Sequence, residues 1–219
     1  MNRFLQYIMT KVVIAMILVA PQAIWAAQDP DAGIKLFNGE DLSGWKAVTE
    51  DESVPMDKVW SVRDGVIVCS GEPIGYLRTE KEYENYSFRF EWRWVGEPGN
   101  SGLLLHTSTE DKVWPVCIQG QLKHEHAGDL ILIKTAIEGH SNPDEGIIAV
   151  ERIGDPNEKP AGEWNEMTAL CQGDSIKIVV NGMLQNEATS ASVTKGAIGL
   201  QAEGGAIEFR NIVLVPMGQ

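Results

Sequence analysis

From Tyr86 to Trp94 the sequence alternates without interruption between aromatic and polar residues. The even positions are Tyr86, Phe88, Phe90, Trp92 and Trp94, and the odd positions are Ser87, Arg89, Glu91 and Arg93. Successive side chains of a strand point to opposite faces, so this period places the aromatic rings on one face and the charges on the other. The segment therefore predicts a long β-strand with one face in a hydrophobic core.

Shorter segments of the same kind occur along the rest of the chain. The alternating run 176–180 ends in Asn181-Gly182, a pair that favours a tight hairpin turn. Two further alternating runs begin at Ile198 and Ile207, and no long stretch keeps a helical period. We therefore predict an all-β fold, a sandwich of two antiparallel sheets that forms one domain over residues 28–219.

Residues 1–27 are predicted to be a secretory signal peptide. Arg3 and Lys11 precede the apolar run 12–20, which is followed by small residues that include Ala26 and Ala27. This order is typical of a cleaved leader. The run is shorter than the ~20 residues that a membrane helix needs, and no later stretch qualifies. We therefore expect a periplasmic or secreted protein without an integral membrane segment after cleavage.

Charge and cysteine content exclude further classes. The chain has 18 Lys and Arg against 31 Asp and Glu, a formal net charge of −13. Nucleic acids and anionic membranes repel a protein of this sign, so we expect no nucleic-acid partner. Cys69, Cys117 and Cys171 each lie in an apolar run. They are predicted to be buried thiols, and a reactive thiol or a metal ligand is the alternative.

Polar residues on the second face of the strands are the first candidates for a functional site. Alternation places five of them opposite core side chains: Glu91, Arg93, Gln201, Glu208 and Arg210. A curved sheet can use that face as an open groove, and these residues are expected to line one shared groove. The alternative is the solvated outer face of a half-exposed sheet.

A second candidate is the polar segment 123–129, which follows an apolar strand-like run. His124 and His126 are two residues apart, so in an extended segment both side chains point the same way. Together with Asp129 or Glu125 they could bind a divalent cation. The alternative is a polar surface loop.

Local hydrolase motifs are absent. The sequence contains no Glu-x-Asp-x-x-Glu segment, no Gly-x-Ser-x-Gly elbow and no zinc-protease helix motif. His106, at the end of the apolar run 102–105, could act as a ligand or a general base, or could be a satisfied half-buried histidine. Catalysis by an acid and base pair of the ordinary glycosidase kind is therefore not indicated by any local motif.

Two tryptophans are candidates for binding a sugar. Trp114 and Trp164 stand beside Pro115 and Asn165 rather than inside an alternating strand, so we expect both to be exposed. The C–H faces of a sugar pack well on an indole ring. Most of the other tryptophans are expected in the core.

Several motifs, in their order along the chain, resemble one known family. They are Phe37-Asn38-Gly39, Leu42-Ser43-Gly44-Trp45, Trp60-Ser61-Val62-Arg63-Asp64-Gly65, Tyr83-Glu84-Asn85-Tyr86, Glu91-Trp92-Arg93, Gly99-Asn100-Ser101-Gly102, Gly162-Glu163-Trp164-Asn165, Asn181-Gly182, Gly199-Leu200-Gln201 and Glu208-Phe209-Arg210-Asn211-Ile212. Together they resemble the bacterial 3-keto-disaccharide hydrolase family over residues 34–215.

The resemblance implies a concanavalin A-like jelly roll and the cleavage of glycosides whose sugar carries a ketone at C3. Such a ketone acidifies the C2 proton, so one base and one group that stabilises the enolate oxygen can suffice. His106 or Glu91 is expected to be the base, and Arg93 or a divalent metal ion of unspecified identity is expected to stabilise the enolate.

The expected site residues follow from the resemblance together with the face argument. The catalytic set is Glu91, Arg93, His106, Gln121 and Glu208, the substrate-binding set is Gln119, Trp114, Trp164, Asn165, Gln201 and Arg210, and the metal set is His124, His126 and Asp129.

The chain departs from the family pattern in the loop 123–127 and at position 119. Relatives usually carry a glutamate two residues before the glutamine that corresponds to Gln121, whereas this chain carries Gln119. A non-catalytic carbohydrate-binding module of the lectin-like type is therefore the alternative function. A structural or partner-binding envelope protein is a third hypothesis, which a large exposed apolar patch would support.

Overall fold

The structure is a computed structural model that describes residues 33–141 and 146–218. The predicted signal peptide lies outside the described residues. The strands are β1 (Ile34–Lys35), β2 (Trp45–Thr49), β3 (Trp60–Arg63), β4 (Val66–Cys69), β5 (Gly75–Thr79), β6 (Tyr86–Trp94), β7 (Gly102–Thr107), β8 (Cys117–Gln121), β9 (Leu130–Ile133), β10 (Ala136–Ile137), β11 (His140–Ser141), β12 (Ile147–Val150), β13 (Asn165–Gln172), β14 (Ser175–Val180), β15 (Met183–Ala188), β16 (Ala197–Ala202) and β17 (Ile207–Pro216), and a short helix is α1 (Met56–Val59).

Two large antiparallel sheets contain almost all of these strands. The first sheet has the order β15-β14-β13-β6-β17-β4-β3, and β1 pairs with β17 at its side. The second sheet has the order β12-β9-β8-β7-β16-β5-β2. Strands β10 and β11 form a small separate hairpin. The predicted all-β architecture of two antiparallel sheets is confirmed.

Strand β6 lies in the middle of the first sheet, as its aromatic alternation requires. Phe88, Phe90 and Trp92 are fully buried, whereas the intervening charged residues are only partly buried on the outer face. The ring of Phe90 lies 6.0 Å from that of Phe209 on the neighbouring strand β17. Burial of one such side chain contributes about 1.5–3 kcal/mol, so this strand is a principal source of the fold's stability.

The second sheet is buried on both faces over part of its area. Its inner face supplies side chains such as Leu103, Leu105 and Ile118 to the core shared with the first sheet. Its outer face carries a separate apolar cluster, described below, that the segment between β7 and β8 covers. The outer face of the first sheet therefore carries partly buried charged residues, whereas part of the outer face of the second sheet is covered by a chain segment.

The hairpin between β14 and β15 forms where the sequence predicts it. Val180 pairs with Met183 across the turn, and the turn residues Asn181 and Gly182 have φ values of 47° and 78°. Two consecutive positive φ angles are typical of the type I′ turn, whose twist matches that of the paired strands. The predicted turn is therefore confirmed.

The three cysteines are buried and unpaired, as predicted. Burial raises the pKa of Cys69 and of Cys171 to about 12, and it raises the pKa of Cys117 as well. A thiol with such a pKa stays protonated at neutral pH, which makes it a poor nucleophile and metal ligand. Within the described ranges, no helix combines the length and apolar character needed to cross a membrane.

Candidate functional site

Four predicted site residues lie together on the outer face of the first sheet. The register of β6 and β17 places Arg93 opposite Glu208 and Glu91 opposite Arg210. Arg93 Nε donates to Glu208 Oε2 at 2.7 Å, and Arg210 Nε donates to Glu91 Oε2 at 2.6 Å. These residues therefore form two cross-strand ion pairs.

The remaining carboxylate oxygens of these pairs are occupied as well. Arg63 Nη2 donates to Glu208 Oε1 at 3.2 Å, and Asn211 Nδ2 donates to Glu91 Oε1 at 2.8 Å. Every oxygen of these two carboxylates therefore already accepts a hydrogen bond from a protein donor, and each carboxylate is ion-paired with an arginine. The cluster therefore resembles a structural ion-pair network more than a site for acid–base chemistry.

Trp164 lies over the same outer face. The guanidinium carbons of Arg210 and Arg93 lie 3.9 Å and 4.6 Å from the centroids of its ring system, so the indole already has cation–π partners. The next residue, Asn165, is almost fully buried. Its Oδ1 accepts hydrogen bonds from the Lys159 backbone N–H and from Asn181 Nδ2. Asn165 therefore connects the segment before β13 to the β14–β15 turn and does not face solvent.

The expectation of one shared groove is wrong. Gln119 and Gln121 lie on β8, and Gln201 lies on β16, and both strands belong to the second sheet. Glu91 and Arg93 lie on β6 in the first sheet. Alternation gives the face of a strand that a residue occupies, but it does not say which sheet the strand joins. The predicted residues are therefore divided between the two outer faces of the sandwich.

The apolar part of the second sheet's outer face is covered. Tyr76, Leu104 and Ile133 belong to a buried cluster on this face, and Trp114 packs against it. The cavity that remains there measures only about 10 Å³, and Gln201 is among its lining residues. Trp114 is half-buried and stands at φ 65°. The predicted exposure of Trp114 is therefore only partial, and its indole lies beside the polar part of the same face.

A connected series of side-chain amides occupies that polar part. We call Gln121, Gln119 and Gln201 the amide row. Gln119 Nε2 donates to both Gln121 Oε1 and Gln201 Oε1, each at 3.1 Å. Register confirms the shared face, because Gln119 pairs with Leu104 and Gln201 pairs with Tyr76, both of which belong to the apolar cluster.

The amide row ends at a half-buried carboxyl group, that of Glu203. Gln201 Nε2 donates to Glu203 Oε2 at 2.9 Å, and Asn100 Nδ2 donates to the same oxygen at 2.8 Å. Glu203 Oε1 accepts no hydrogen bond from the described residues and is not a buried atom. This oxygen is therefore available to a ligand.

The environment of Glu203 suits a proton acceptor. Burial raises the pKa of Glu203 above its ordinary value, while the hydrogen bond from Asn100, the charge of Lys123 and the hydrogen bond from Gln201 act in the opposite direction. A raised pKa makes a carboxylate a stronger base, and it brings the group closer to the pH at which enzymes work. Glu203 thus combines an oxygen without a hydrogen-bond donor among the described residues with a raised pKa.

His106 lies elsewhere, with its ring in the protein interior. Its Nδ1 lies 3.0 Å from the Val193 carbonyl oxygen, and its ring stands edge-on to that of Tyr86 with centroids 5.6 Å apart. A carbonyl oxygen can only accept, so Nδ1 carries the proton. The residue is 2% exposed, and Nε2 has no hydrogen-bond partner among the described residues. This placement separates the ring from the amide row and does not favour His106 as the base.

We expect His106 to make the protein less stable in mild acid. Burial lowers the pKa of His106, with the hydrogen bond to Val193 acting in the opposite direction. The unfolded chain, with a histidine pKa of about 6.5, then binds a proton more readily than the folded chain. Stability present above that pH is therefore lost as the pH falls through it. Urea unfolding at several pH values measures the free energy of unfolding. This free energy should fall less on acidification in His106→Asn than in the unchanged protein. Asparagine is a suitable replacement because it tolerates the local φ of 53°.

The control for this prediction is His140→Asn, because His140 is exposed on strand β11 of the small β10–β11 hairpin. It should show the pH dependence of the unchanged protein. A His106→Asn variant with the same acid loss as the unchanged protein would contradict the prediction.

The predicted metal ligands do not converge. His126 Nδ1 lies 3.0 Å from Asp129 Oδ2, whereas His124 Nδ1 lies 3.4 Å from Glu158 Oε1. Asp129 Oδ1 accepts from the backbone and the guanidinium of Arg152, which places a positive charge where a cation would bind. No group of three His, Cys, Asp or Glu side chains in the described part of the chain is arranged to hold a metal ion. The predicted set therefore does not fit a divalent cation.

Two residues that are hydrogen-bonded at the end of the amide row, Glu203 and Asn100, were not among the site residues predicted from the sequence. Glu203 lies two residues after Gln201, and alternation from Gln201 would have placed it on the same face. Asn100 appears in the sequence only within the Gly99-Asn100-Ser101-Gly102 motif. The structure joins them by an isolated bridge between Asn100 and Glu203. That long-range pairing, rather than any local pattern, assembles this end of the site.

Solved structures support the fold assignment. The chain is similar to a proposed glycosyl hydrolase from Parabacteroides distasonis, with a TM-score of 0.61, 21% identity, and coverage of 84% of this chain and 93% of that one. It is also similar to a carbohydrate-binding module from Bacillus subtilis, with a TM-score of 0.59, 13% identity, and coverage of 78% and 94%.

A Bacillus licheniformis beta-glucanase is similar as well, with a TM-score of 0.55, 17% identity, and coverage of 84% and 97%. Identities this low establish the fold alone. The similar structures confirm the predicted jelly-roll sandwich of two antiparallel sheets. They include both enzymes and a carbohydrate-binding module.

Sequence comparison is more specific. No functionally curated protein matches the chain significantly. A family model described as a 3-keto-alpha-glucoside-1,2-lyase-like domain matches residues 32–215, which includes both sheets and every residue of the amide row. The chain therefore belongs to the family of 3-keto-alpha-glucoside-1,2-lyase-like domains, as its sequence motifs predicted.

Proposed function

We propose that this protein cleaves the glycosidic bond of sugars oxidised to a ketone at C3, using the polar part of the second sheet's outer face. The observation that carries the proposal is Glu203, a half-buried carboxyl group with two amide donors on one oxygen and a free second oxygen. Membership of the 3-keto-alpha-glucoside-1,2-lyase-like family supports the choice of substrate.

The chemistry needs one base. Ionised Glu203 removes the proton from C2, and the electron pair of the C2–H bond forms an enolate with its charge on the ketone oxygen at C3. The ketone then re-forms while the C1–O bond breaks, and a double bond is left between C1 and C2. The departing oxygen takes a proton from Glu203 or from water. If water then adds its oxygen to C1 and a proton to C2, the net reaction is hydrolysis.

The enolate oxygen needs a hydrogen-bond donor or a positive charge. Gln121 Oε1 is occupied by protein donors, but no hydrogen bond from Gln121 Nε2 to a described residue occurs. Lys123 is exposed, and its charge already acts on Glu203. We propose Gln121 Nε2 and Lys123 for this role, in place of Arg93, which is ion-paired on the opposite sheet.

Trp114 is proposed to contact the sugar ring. Its indole packs on the same outer face, and Gln201 links the cavity at Trp114 to Glu203 through one hydrogen bond. A sugar whose C2 approaches Glu203 could then rest a C–H face against the exposed part of the indole. Trp164, with two guanidinium groups on its ring and the opposite sheet beneath it, is a weaker candidate.

Non-catalytic carbohydrate binding is a second candidate function. The amide row is uncharged, and it has Gln119 where relatives usually carry a glutamate. Amides are well suited to bind sugar hydroxyls without cleaving the sugar. Under this alternative Glu203 would accept a hydrogen bond from a hydroxyl group rather than a proton from carbon.

Cleavage of a 3-keto-glucoside, with the parent glucoside untouched, is the result expected from the purified protein. Only the ketone acidifies the C2 proton, so oxidation should be required for turnover. Deuterium at C2 should slow cleavage if removal of that proton limits the rate. Product formation can be followed by NMR, with calorimetry for binding.

Equal cleavage of the unoxidised glucoside would contradict the elimination. Binding of both sugars without turnover of either would favour the binding function instead. Signal cleavage and export remain predictions from the sequence.

A further inference from the structure

The orientation of the amide row is fixed at one end by the backbone. The N–H groups of Leu122 and Lys123 both donate to Gln121 Oε1, each at 3.1 Å. A backbone N–H cannot accept, so the Gln121 atom that receives both bonds must be the carbonyl oxygen. The side-chain amide of Gln121 therefore has one permitted orientation.

This orientation propagates through Gln119. Its amide nitrogen is the atom that must face Gln121 Oε1, and the same nitrogen also donates to Gln201 Oε1. Gln201 consequently presents its own nitrogen at the other end of its amide, where it donates to Glu203. The direction of every bond in the series follows from the first.

Gln119 holds this position at a cost in hydrogen bonding. Its Oε1 is buried and has no hydrogen-bond partner among the described residues. A buried carbonyl oxygen without a donor is destabilising, and each such group in a native structure needs an explanation. Among the described residues, the one buried side-chain atom of the amide row without a hydrogen-bond partner thus belongs to the residue that joins its two ends.

The backbone makes room for Gln119 at Gly102. A Cβ added at Gly102 would lie 2.4 Å from Gln119 Nε2 and 2.5 Å from Gln119 Cδ. Gly102 does not have a positive φ, so its backbone conformation does not itself require glycine. The space that Gly102 leaves is therefore filled by the amide of Gln119.

We propose that Gln119 is a positioning residue, which holds the Gln201 amide in the orientation that donates a hydrogen bond to Glu203. The Gln119 amide suits this arrangement because its –NH₂ group supplies both donors without adding a charge, whereas an ionised carboxylate supplies none. The inference rests on the proposed function for the role of Glu203 as base, but the positioning itself can be measured without substrate.

The test is a carbon-13 NMR titration of the Glu203 carboxyl group in the whole protein. In Gln119→Ala the Gln201 amide loses its anchor and can turn, so the Glu203 carboxylate should lose a donor and its pKa should shift upward. Lys123 is the charged group that acts on Glu203, and this substitution leaves it unchanged. Gln172→Ala is the matched control, because Gln172 is an exposed glutamine at the end of β13 in the first sheet.

A double-mutant cycle separates positioning from a direct effect. If Gln119 acts through Gln201, Gln119→Ala should produce no further shift in a Gln201→Ala background. An equal shift in both backgrounds would overturn the proposal, and so would an unchanged Glu203 titration in a folded Gln119→Ala protein. Gly102→Ala serves as a second variant, since it displaces Gln119 without removing any polar atom, and it should shift the titration in the same direction.

Activity gives an independent readout. Gln119→Glu preserves the shape of the side chain, but its carboxyl group can donate only while protonated. We expect about a tenfold lower kcat at neutral pH, with a deficit that becomes smaller as the pH falls. A deficit that stays constant with pH would contradict the positioning role. If Glu203 titrates as described but no protein, changed or unchanged, cleaves a 3-keto-glucoside, the proposed function fails and the positioning stands.

Discussion

Replacement of Glu203 by glutamine is expected to lower kcat for a 3-keto-glucoside by about 10²–10⁴-fold, the contribution typical of a general base. Glutamine has the same shape but cannot take a proton from carbon. Initial rates measured over a range of substrate concentrations would give kcat and KM separately. The loss should fall on kcat, because the substituted side chain can still contact the sugar.

The pH profile gives this prediction a second signature. A base must be ionised, so a raised Glu203 pKa places the acid limb of kcat/KM at a higher pH than an ordinary carboxyl group would. That limb should disappear in Glu203→Gln. Glu187→Gln is the matched control, since Glu187 is an exposed carboxylate paired with Lys177 on the other sheet.

A different set of activities would contradict the assignment of Glu203 as the base. Full activity in Glu203→Gln, together with loss of activity in Glu91→Gln or Glu208→Gln, would place the chemistry on the first sheet. It would then involve the ion-paired carboxylates that sequence alternation selected.

Phe90→Ala is expected to lower the free energy of unfolding by about 3–5 kcal/mol, the range found for loss of a buried ring. Phe90 is fully buried on β6, and its ring lies 5.7 Å from that of Phe88 and 6.0 Å from that of Trp92. Its neighbours on both sides are large and fixed within a sheet, so they cannot collapse into the space. Urea unfolding followed by tryptophan fluorescence would measure the change.

Thr168→Ala is the control for the core prediction. Thr168 lies on the outer face of the neighbouring strand β13, opposite Arg89. A surface substitution of this kind usually changes stability by no more than about 0.5 kcal/mol. A loss below about 1 kcal/mol for Phe90→Ala would contradict the description of β6 as a principal source of the fold's stability.

Part of the candidate site could be predicted from the sequence. Gln119, Gln121 and Gln201 were selected by alternation and family motifs, and the structure places all three in one hydrogen-bonded row. Glu91, Arg93, Glu208 and Arg210 were selected by the same reasoning and lie on the opposite face of the sandwich. The two groups have the same local pattern, because a polar outer face looks alike in either sheet.

Glu203 illustrates why the rest could not be predicted. Its neighbours Asn100 and Lys123 are 103 and 80 positions away along the chain, and both act on it only because strands β7, β8 and β16 are adjacent. Its raised pKa depends on burial, which is a property of the assembled sheet and of the segments that cover it. No spacing within the sequence carries that information.

The sequence by itself determined the strands that alternate clearly, the face that each of these strands buries, the Asn181-Gly182 turn and the family, because these depend on side-chain period, turn residues and local motifs. Only the tertiary structure decided which strands share a sheet, and therefore which polar residues meet. Strand pairing is a contact between distant segments, and its outcome depends on how the two hydrophobic faces pack together. For that reason the amide row and its carboxyl group became visible as one site only in the folded chain.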